Sequence, residues 1–468
     1  MTAPTDTTPN DDTPSAPADN TPDPSASTAG PPGAAPIAPT GVIGLSHLGI
    51  IYGTAWASFG QPVVAVDADA EAVVRLQAGD PIVREPGLPE LLERSRPFLT
   101  YTSDFAALAA CPLVLLARDV TTDAKNQSDL GAVQRLIGAA IPHLQDGLTF
   151  VVMCQVPPGF NRALAEQIRS ARPGLRFQLY YWVETLVFGN AVQRALEPER
   201  IIVGCTDPAA PLPALFRAGL ERFGCPLVLM GYESAELTKT AINIYLIGSV
   251  TYANAMADLC EEVGADWSEM VPALKLDRRI GPAAYIRPSL GVAGGNLERD
   301  LVTLRQLGAQ HDVETTYLDA LQAANDARFD WVHRKLWETL LARGADATIA
   351  VWGLTYKKDT RSTKNSPAMR LLLEIDPRVT VKAWDPAVGL DEVRAAGISA
   401  PLTVMRSRDA ALDDADCLLI MADWDQFVQA DLDAIRTRMR RPLVIDTVGV
   451  LQNRGVALAG IEYVSMGR

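Results

Sequence analysis

The sequence is short of the residues that build metal centres and cross-linked scaffolds. Its 468 residues include six cysteines and four histidines. The cysteines stand at 111, 154, 205, 225, 260 and 417, with no Cys-x-x-Cys pair and no regular spacing. No metal site and no disulfide framework is expected, and thiols used this way suit a reducing cytoplasm. No run approaches the ~20 apolar residues of a membrane span, so no membrane partner is expected. Basic charge is in deficit, with 42 Lys and Arg against 56 Asp and Glu and a net charge of −14. That excludes a nucleic-acid surface. It leaves room for a phosphorylated small molecule, which backbone donors and a few cations can hold. The first 40 residues have no Lys or Arg, so they lack the basic start of a secretory signal and the arginines of a transit peptide. They hold ten of the 33 prolines and five aspartates. Such a segment buries too little apolar surface to offset its ordering entropy, and residues 1–40 read as a disordered tail.

Beyond the tail stands a strand-turn-helix-strand pattern. It runs Gly41-Val-Ile-Gly-Leu-Ser-His-Leu-Gly-Ile-Ile-Tyr-Gly53 and on to Asp67. Gly44 and Gly49 hold the first and third glycine positions of a dinucleotide fingerprint, and Ser46 replaces the middle one. With Ser46, His47 and Leu48 between the glycines, this turn is the candidate cofactor site. Its backbone N–H groups open a helix, where unpaired donors and the helix dipole favour a pyrophosphate. Asp67 falls where a carboxylate accepts hydrogen bonds from ribose hydroxyls and repels a 2′-phosphate. The cofactor read from these residues is NAD.

Further along, apolar strands are expected at 42–45, 63–66, 113–117, 149–153, 178–182 and 201–203, with helical stretches between them. The fold class is α/β, with a parallel, doubly wound sheet over 41–229. Pro157-Pro158-Gly159 reads as a helix opening with proline in the first turn. From 230 to 330 the chain turns helical. Residues 236–263 run as one long helix with broad apolar faces, suited to deep core or a subunit interface. A Gly- and Pro-rich loop covers 278–300 and reads as functional. A second strand-glycine pattern at Thr348 opens a smaller α/β unit over 331–468. Two Rossmann-like units joined by a long central helix suggest a ligand held between them.

At this point the sequence resembles the UDP-glucose/GDP-mannose dehydrogenase family over nearly all of the chain beyond residue 40. The matching stretches are collinear: Gly44–Gly49 with Asp67, Glu85-Pro-Gly-Leu88, Val156-Pro-Pro-Gly159, Glu184, Pro198-Glu-Arg-Ile-Ile-Val-Gly204, Glu236-Leu-Thr-Lys239 with Asn243, Arg279-Ile-Gly281, Lys357 with Thr360 and Ser366-Pro367, Trp384-Asp-Pro386, and Ala422-Asp-Trp424 with Phe427. The resemblance implies an NAD domain, a helical dimerisation centre and a C-terminal nucleotide-binding domain, in a homodimer that takes a nucleotide sugar. It implies hydride transfer from the sugar to NAD. It also implies a second oxidation through a thiohemiacetal and thioester on a cysteine.

The resemblance places roles and one departure. Lys239, Asn243 and Asp300 match the group around the reacting hydroxyl. An ammonium stabilises a developing alkoxide. Asn243, one turn after Lys239, shares its helix face, and Asp300 accepts a proton. Asp300 has a second reading as a helix cap. Glu184 is a further catalytic candidate, with a plain surface acid as its alternative. Arg279, Tyr285, Gly294, Gly295 and Lys357 are substrate candidates, and Lys364, where the family has Arg, is a cofactor candidate. Arg279 and Lys357 have the alternative of solvated charges. The departure is at Gly291-Val-Ala-Gly-Gly-Asn-Leu-Glu-Arg-Asp300, where Asn296 stands in the place of the family's cysteine. An amide is not a usable nucleophile, so the covalent second oxidation is expected to fail. Gln155 replaces a Thr, and Val187 and Phe188 replace an Arg-Glu pair.

Three functions follow. The first is an NAD-dependent oxidoreductase that performs one two-electron step on a UDP-hexose. The second is a redox-neutral epimerase or decarboxylase with tightly held NAD. The third is an inactive homologue that binds nucleotide sugar, against which the retained Lys239, Asn243 and Asp300 argue.

Overall fold

The computed structural model describes residues 37–468, except 124, 294, 344–345, 399–400, 453 and 455–458. The expected tail, 1–40, lies outside the described residues up to 36. Its last residue belongs to the fold: Thr40 is fully buried and starts the first strand, Thr40–Ile43. Gly44 ends that strand two residues earlier than the apolar run suggested, by taking a positive φ of 100°.

The first sheet has eight strands. From one edge to the other they are Leu227–Gly231, Ile201–Cys205, Phe177–Val183, Leu148–Val152, Leu113–Leu116, Thr40–Ile43, Val63–Val66 and Leu99–Thr102. Strand order reverses between Thr40–Ile43 and Leu113–Leu116, which opens a crevice at their C-terminal ends. Side chains alternate between two cores. Val42, Leu113, Leu115 and Val151 pack on one face, and Ile43, Val114, Leu116 and Val152 on the other. Burial on both faces is why these strands read as unbroken apolar runs.

The parallel expectation needs one correction. Phe177–Val183 and Ile201–Cys205 pair antiparallel, with Tyr181 opposite Gly204. The connection 184–200 starts and finishes at the same end of the strands, which holds Glu184 and Phe188 beside the crevice.

The helix after Pro157-Pro158-Gly159 also differs from expectation. It spans Phe160–Ala171 with Gly159 as its N-cap, so both prolines precede the helix. Its free N–H groups are satisfied from elsewhere. The Glu236 carboxylate accepts from Gly159 N at 2.6 Å, Asn161 N at 2.9 Å and Asn161 Nδ2 at 2.8 Å. Glu236 lies on the central helix Tyr232–Val263, 32 residues long. Glu236, Lys239 and Asn243 recur at the helical period and are all buried on one face. The cap therefore fixes how that face meets the first sheet.

The second sheet has six parallel strands, ordered Leu402–Val404, Thr380–Trp384, Thr348–Trp352, Cys417–Ile420, Leu443–Asp446 and Glu462–Ser465. Its order reverses between Thr348–Trp352 and Cys417–Ile420. The loops after these strands supply Tyr356 to Lys364 and Trp424, which meet the first unit's crevice.

Candidate active site

The cofactor turn is shaped by a clash that only glycine avoids. A Cβ on Gly49 would lie 1.8 Å from the Gly44 carbonyl oxygen and 2.6 Å from that of Ala117. The helix His47–Ser58 therefore packs directly on the strand ends and points its N-terminus into the crevice. Asp67, at the end of Val63–Val66, is buried, and its carboxylate accepts from Leu45 N at 2.6 Å and Asp69 N at 3.0 Å. Close backbone approach, a helix N-terminus at the crevice and a strand-end carboxylate together fit a dinucleotide.

Two neighbouring residues already touch this frame. Arg118 Nη1 lies 3.3 Å from Asp67 Oδ2. Asp119 Oδ2 accepts from Leu48 N at 3.0 Å, and Asp119 N donates to Ser46 Oγ at 2.8 Å. His47 turns its ring away from the turn: Nε2 is 2.8 Å from Glu85 Oε1, and the ring packs on Phe188 at a centroid distance of 4.3 Å.

The catalytic candidates converge from four segments. Lys239 Nζ is 2.8 Å from Glu184 Oε1 and donates to the Glu184 carbonyl oxygen at 2.9 Å. Burial pushes the Glu184 carboxyl up, but the charge and hydrogen bond of Lys239, the Leu186 N–H and Arg299 outweigh it, and the group stays below its ordinary range. Glu184 is thus the buried partner of Lys239 and no surface acid. Asn243 Nδ2 donates to Asp300 Oδ2 at 2.5 Å. Gln155 Nε2 donates to Asp300 Oδ1, also at 2.5 Å.

Asp300 is the fifth residue of the helix Asn296–Gln310 and is buried, so it does not cap that helix. Glu298 does, accepting from Gly295 N at 2.8 Å. Burial raises the Asp300 carboxyl above its ordinary value, against the pull of Arg299, Asn243, Lys239 and Gln155. A carboxyl tuned upward in this way is suited to proton transfer nearer neutral pH.

Arg299 completes the cluster and was not among the sequence candidates. It is buried, donates through Nη1 to the Val120 carbonyl oxygen at 3.0 Å, and reaches Gln155 Oε1 through Nη2. Its place next to Asp300 in the sequence was the only signal.

A cavity of about 340 Å³ adjoins this group, lined by Gln155, Glu184, Gly295, Asn296, Arg299 and Lys364 among others, while Lys239, Asn243 and Asp300 are buried behind that lining. Asn296 is exposed at the first turn of its helix, where the N-terminal donors are. None of the six cysteines lines the cavity. Cys154, next to Gln155 in the chain, is fully buried, and burial pushes its thiol up to about 12.

Lys364 reaches into the cavity wall and donates to Thr122 Oγ1. Lys357 donates through Nζ to the Phe188 carbonyl oxygen at 2.6 Å, and burial lowers its pKa. Phe188 also lines a second cavity of about 620 Å³, between the two units beside His47, Arg84 and Arg361. Two candidates stand on the surface away from the cluster. Arg279 is exposed and bound to Asp277 at 2.7 Å, and Tyr285 is exposed; neither lines either cavity. Gly294 lies outside the described residues.

Comparison with known proteins agrees with this geometry along the chain. Three family models match, described as the UDP-glucose/GDP-mannose dehydrogenase family NAD binding domain at residues 39–217, its central domain at 233–327 and its UDP binding domain at 350–453. The UDP-glucose 6-dehydrogenase of Rhizobium meliloti is 30% identical over 436 residues, covering 90% of this chain and 98% of that protein. The chain belongs to the UDP-glucose/GDP-mannose dehydrogenase family. The UDP-glucose 6-dehydrogenase of Pseudomonas aeruginosa is also 30% identical, over 439 residues, covering 90% of this chain and 96% of that protein. A solved UDP-glucose dehydrogenase from Pyrobaculum islandicum superposes with a TM-score of 0.79 at 26% identity, covering 94% of this chain and 99% of that one. The protein is accordingly an NAD-dependent oxidoreductase of the nucleotide-sugar dehydrogenase family. Among the described residues, no helix is long and apolar enough to cross a membrane.

Proposed function

We propose that this family member carries out one two-electron oxidation of a hydroxyl on a UDP-hexose and stops at the carbonyl. The observation that carries the reading is Asn296, an amide on the cavity wall at the start of its helix. An amide forms no thiohemiacetal, and without that adduct an aldehyde offers no readily expelled hydride.

NAD, when bound at the Gly44–Gly49 turn, supplies the hydride acceptor. The remaining work falls to this chain. Asp300 takes the hydroxyl proton, directly or through a water, from its position between Asn243 and Gln155. Lys239, held by Glu184, places positive charge where the alkoxide develops. Asn243 orients the same oxygen. The balance is one hydride and one proton lost by the sugar carbinol and one carbonyl gained. Lys357 and Gly295 are assigned to the sugar nucleotide, with Arg279 and Tyr285 acting from a partner subunit. Lys364 and the Ser46–Leu48 backbone are assigned to the cofactor.

The corresponding organisation is a cofactor domain at 41–229, a central domain at 230–330 and a sugar-nucleotide domain at 331–468. The central helix supports a homodimer: Tyr245, Leu259 and Val263 are 71%, 56% and 74% exposed on it. Six free thiols support a cytoplasmic location.

The test supplies NAD and a panel of UDP-hexoses and follows NADH absorbance and product mass. One NADH per sugar with a carbonyl product is expected. Two NADH and a carboxylate would overturn the reading. Zero net NADH with an isomer or lost carbon dioxide would replace it with redox-neutral chemistry, and binding without turnover would replace it with an inactive homologue. Asn296→Cys is expected to move the product toward the acid.

A further inference from the structure

Two consecutive residues, Arg118 and Asp119, sit on the two places a dinucleotide needs most. They follow the strand Leu113–Leu116, on the far side of the crevice from the turn. Asp119 Oδ2 takes the N–H of Leu48, the second residue of the cofactor helix, at 3.0 Å. That donor is among those a helix N-terminus offers to a phosphate. Arg118 Nη1 lies 3.3 Å from the carboxylate of Asp67, the group placed for ribose hydroxyls.

The contact at Asp119 is anchored at both ends. Ser46 precedes the helix as its N-cap, yet its side chain makes no capping bond to its own helix. Its Oγ accepts the Asp119 N–H at 2.8 Å instead. The capping exchange that usually joins residues three apart is made here between loops 73 residues apart. Serine at the middle-glycine position thereby acquires a purpose: it supplies the acceptor that holds Asp119 over the helix. The Arg118 N–H is itself held by Cys154 Sγ at 3.3 Å, which fixes the loop against the sheet.

We propose that Asp119 is a built-in occupant of the pyrophosphate position, which NAD must displace, making it a determinant of cofactor affinity. Both groups are anionic, so they cannot share one helix N-terminus without repulsion, and the cofactor gains only the difference between its own contacts and those of the carboxylate. Arg118 is carried on the same loop. When Asp119 leaves, Arg118 leaves Asp67 and is free to face the cofactor's phosphates. The proposal is independent of whether a second oxidation occurs, because it concerns binding in the absence of sugar.

The test is calorimetric titration of the full-length protein with NAD alone, for the wild type, Asp119→Ala, Asp119→Asn and Ser46→Gly, with thermal unfolding of each with and without NAD. Asp119→Ala is expected to bind NAD at least about five-fold more tightly, the scale of one helix cap. Asp119→Asn, which keeps an acceptor oxygen and loses the charge, should fall between it and the wild type, and Ser46→Gly should tighten binding in the same direction. The unfolding data separate displacement from a merely structural role. The NAD-free melting temperature of Asp119→Ala should drop, and the NAD-induced rise should exceed that of the wild type. Unchanged or weaker NAD affinity in both Asp119→Ala and Asp119→Asn would overturn the proposal, as would an equal fall in melting temperature with and without NAD.

Discussion

Gln155 donates its amide N–H to Asp300 Oδ1 at 2.5 Å while its carbonyl oxygen accepts from Arg299. One side chain therefore orients both a candidate base and the cation beside it. The two ends of the amide are not interchangeable: a flipped Gln155 would set its NH₂ against the guanidinium and its oxygen against the carboxylate.

This arrangement sets a pH dependence. The Asp300 carboxyl is raised by burial and works as a base only when ionised. kcat/KM should therefore rise with pH through an acid limb above the ordinary aspartate value of about 3.9. Gln155→Leu removes a hydrogen bond that favours the ionised form, so the limb should move to higher pH. Asp300→Asn should abolish the limb and lower kcat by roughly 10²–10⁴-fold. A pH–rate profile for each variant checks this. The linkage to stability has the opposite sense: a raised carboxyl favours the folded state at low pH, and that contribution is lost as pH rises from the unfolded value to the folded one.

Lys239 and Glu184 form a pair with side chains only 10% and 14% exposed. Removing one partner leaves the other charge uncompensated, so Lys239→Met should destabilise the protein by about 3–5 kcal/mol. The double variant Lys239→Met with Glu184→Leu should recover much of that loss while staying inactive. Denaturant midpoints and turnover, measured on the same preparations, separate the two effects.

Gly49→Ala forces a Cβ into two backbone carbonyls, neither of which is a flexible side-chain end. The cost should reach or exceed the 1–3 kcal/mol of ordinary overpacking, roughly, and soluble yield should fall with it. Gly53→Ala, one turn on, meets only Val42 at 3.7 Å. It should be tolerated and gain up to about 1 kcal/mol of helix propensity. Denaturation of the two variants side by side tests whether the turn, and not the helix, demands glycine.

The sequence by itself determined the central strands of the first sheet and the strand at Thr348 that opens the second, because burial on two faces demands continuous apolar runs. It determined the cofactor turn through the spacing of Gly44, Gly49 and Asp67. It placed Lys239 and Asn243 together through the period of one helix. It did not carry the four edge strands, Leu99–Thr102, Leu227–Gly231, Leu402–Val404 and Glu462–Ser465, whose half-exposed faces relax the apolar pattern. Nor did it carry the antiparallel pair, since direction depends on whether the connection 184–200 crosses to the other end of the sheet or returns at the same end. Only the tertiary structure brought Gln155 to Asp300, Glu184 to Lys239 and Asp119 to Leu48. These contacts join residues 145, 55 and 71 apart in the chain, each a residue beyond a strand end meeting a helix, and no local period or propensity encodes such a meeting. The glycines made the cofactor helix approach the sheet; the fold then decided that a carboxylate of the same chain would meet it there.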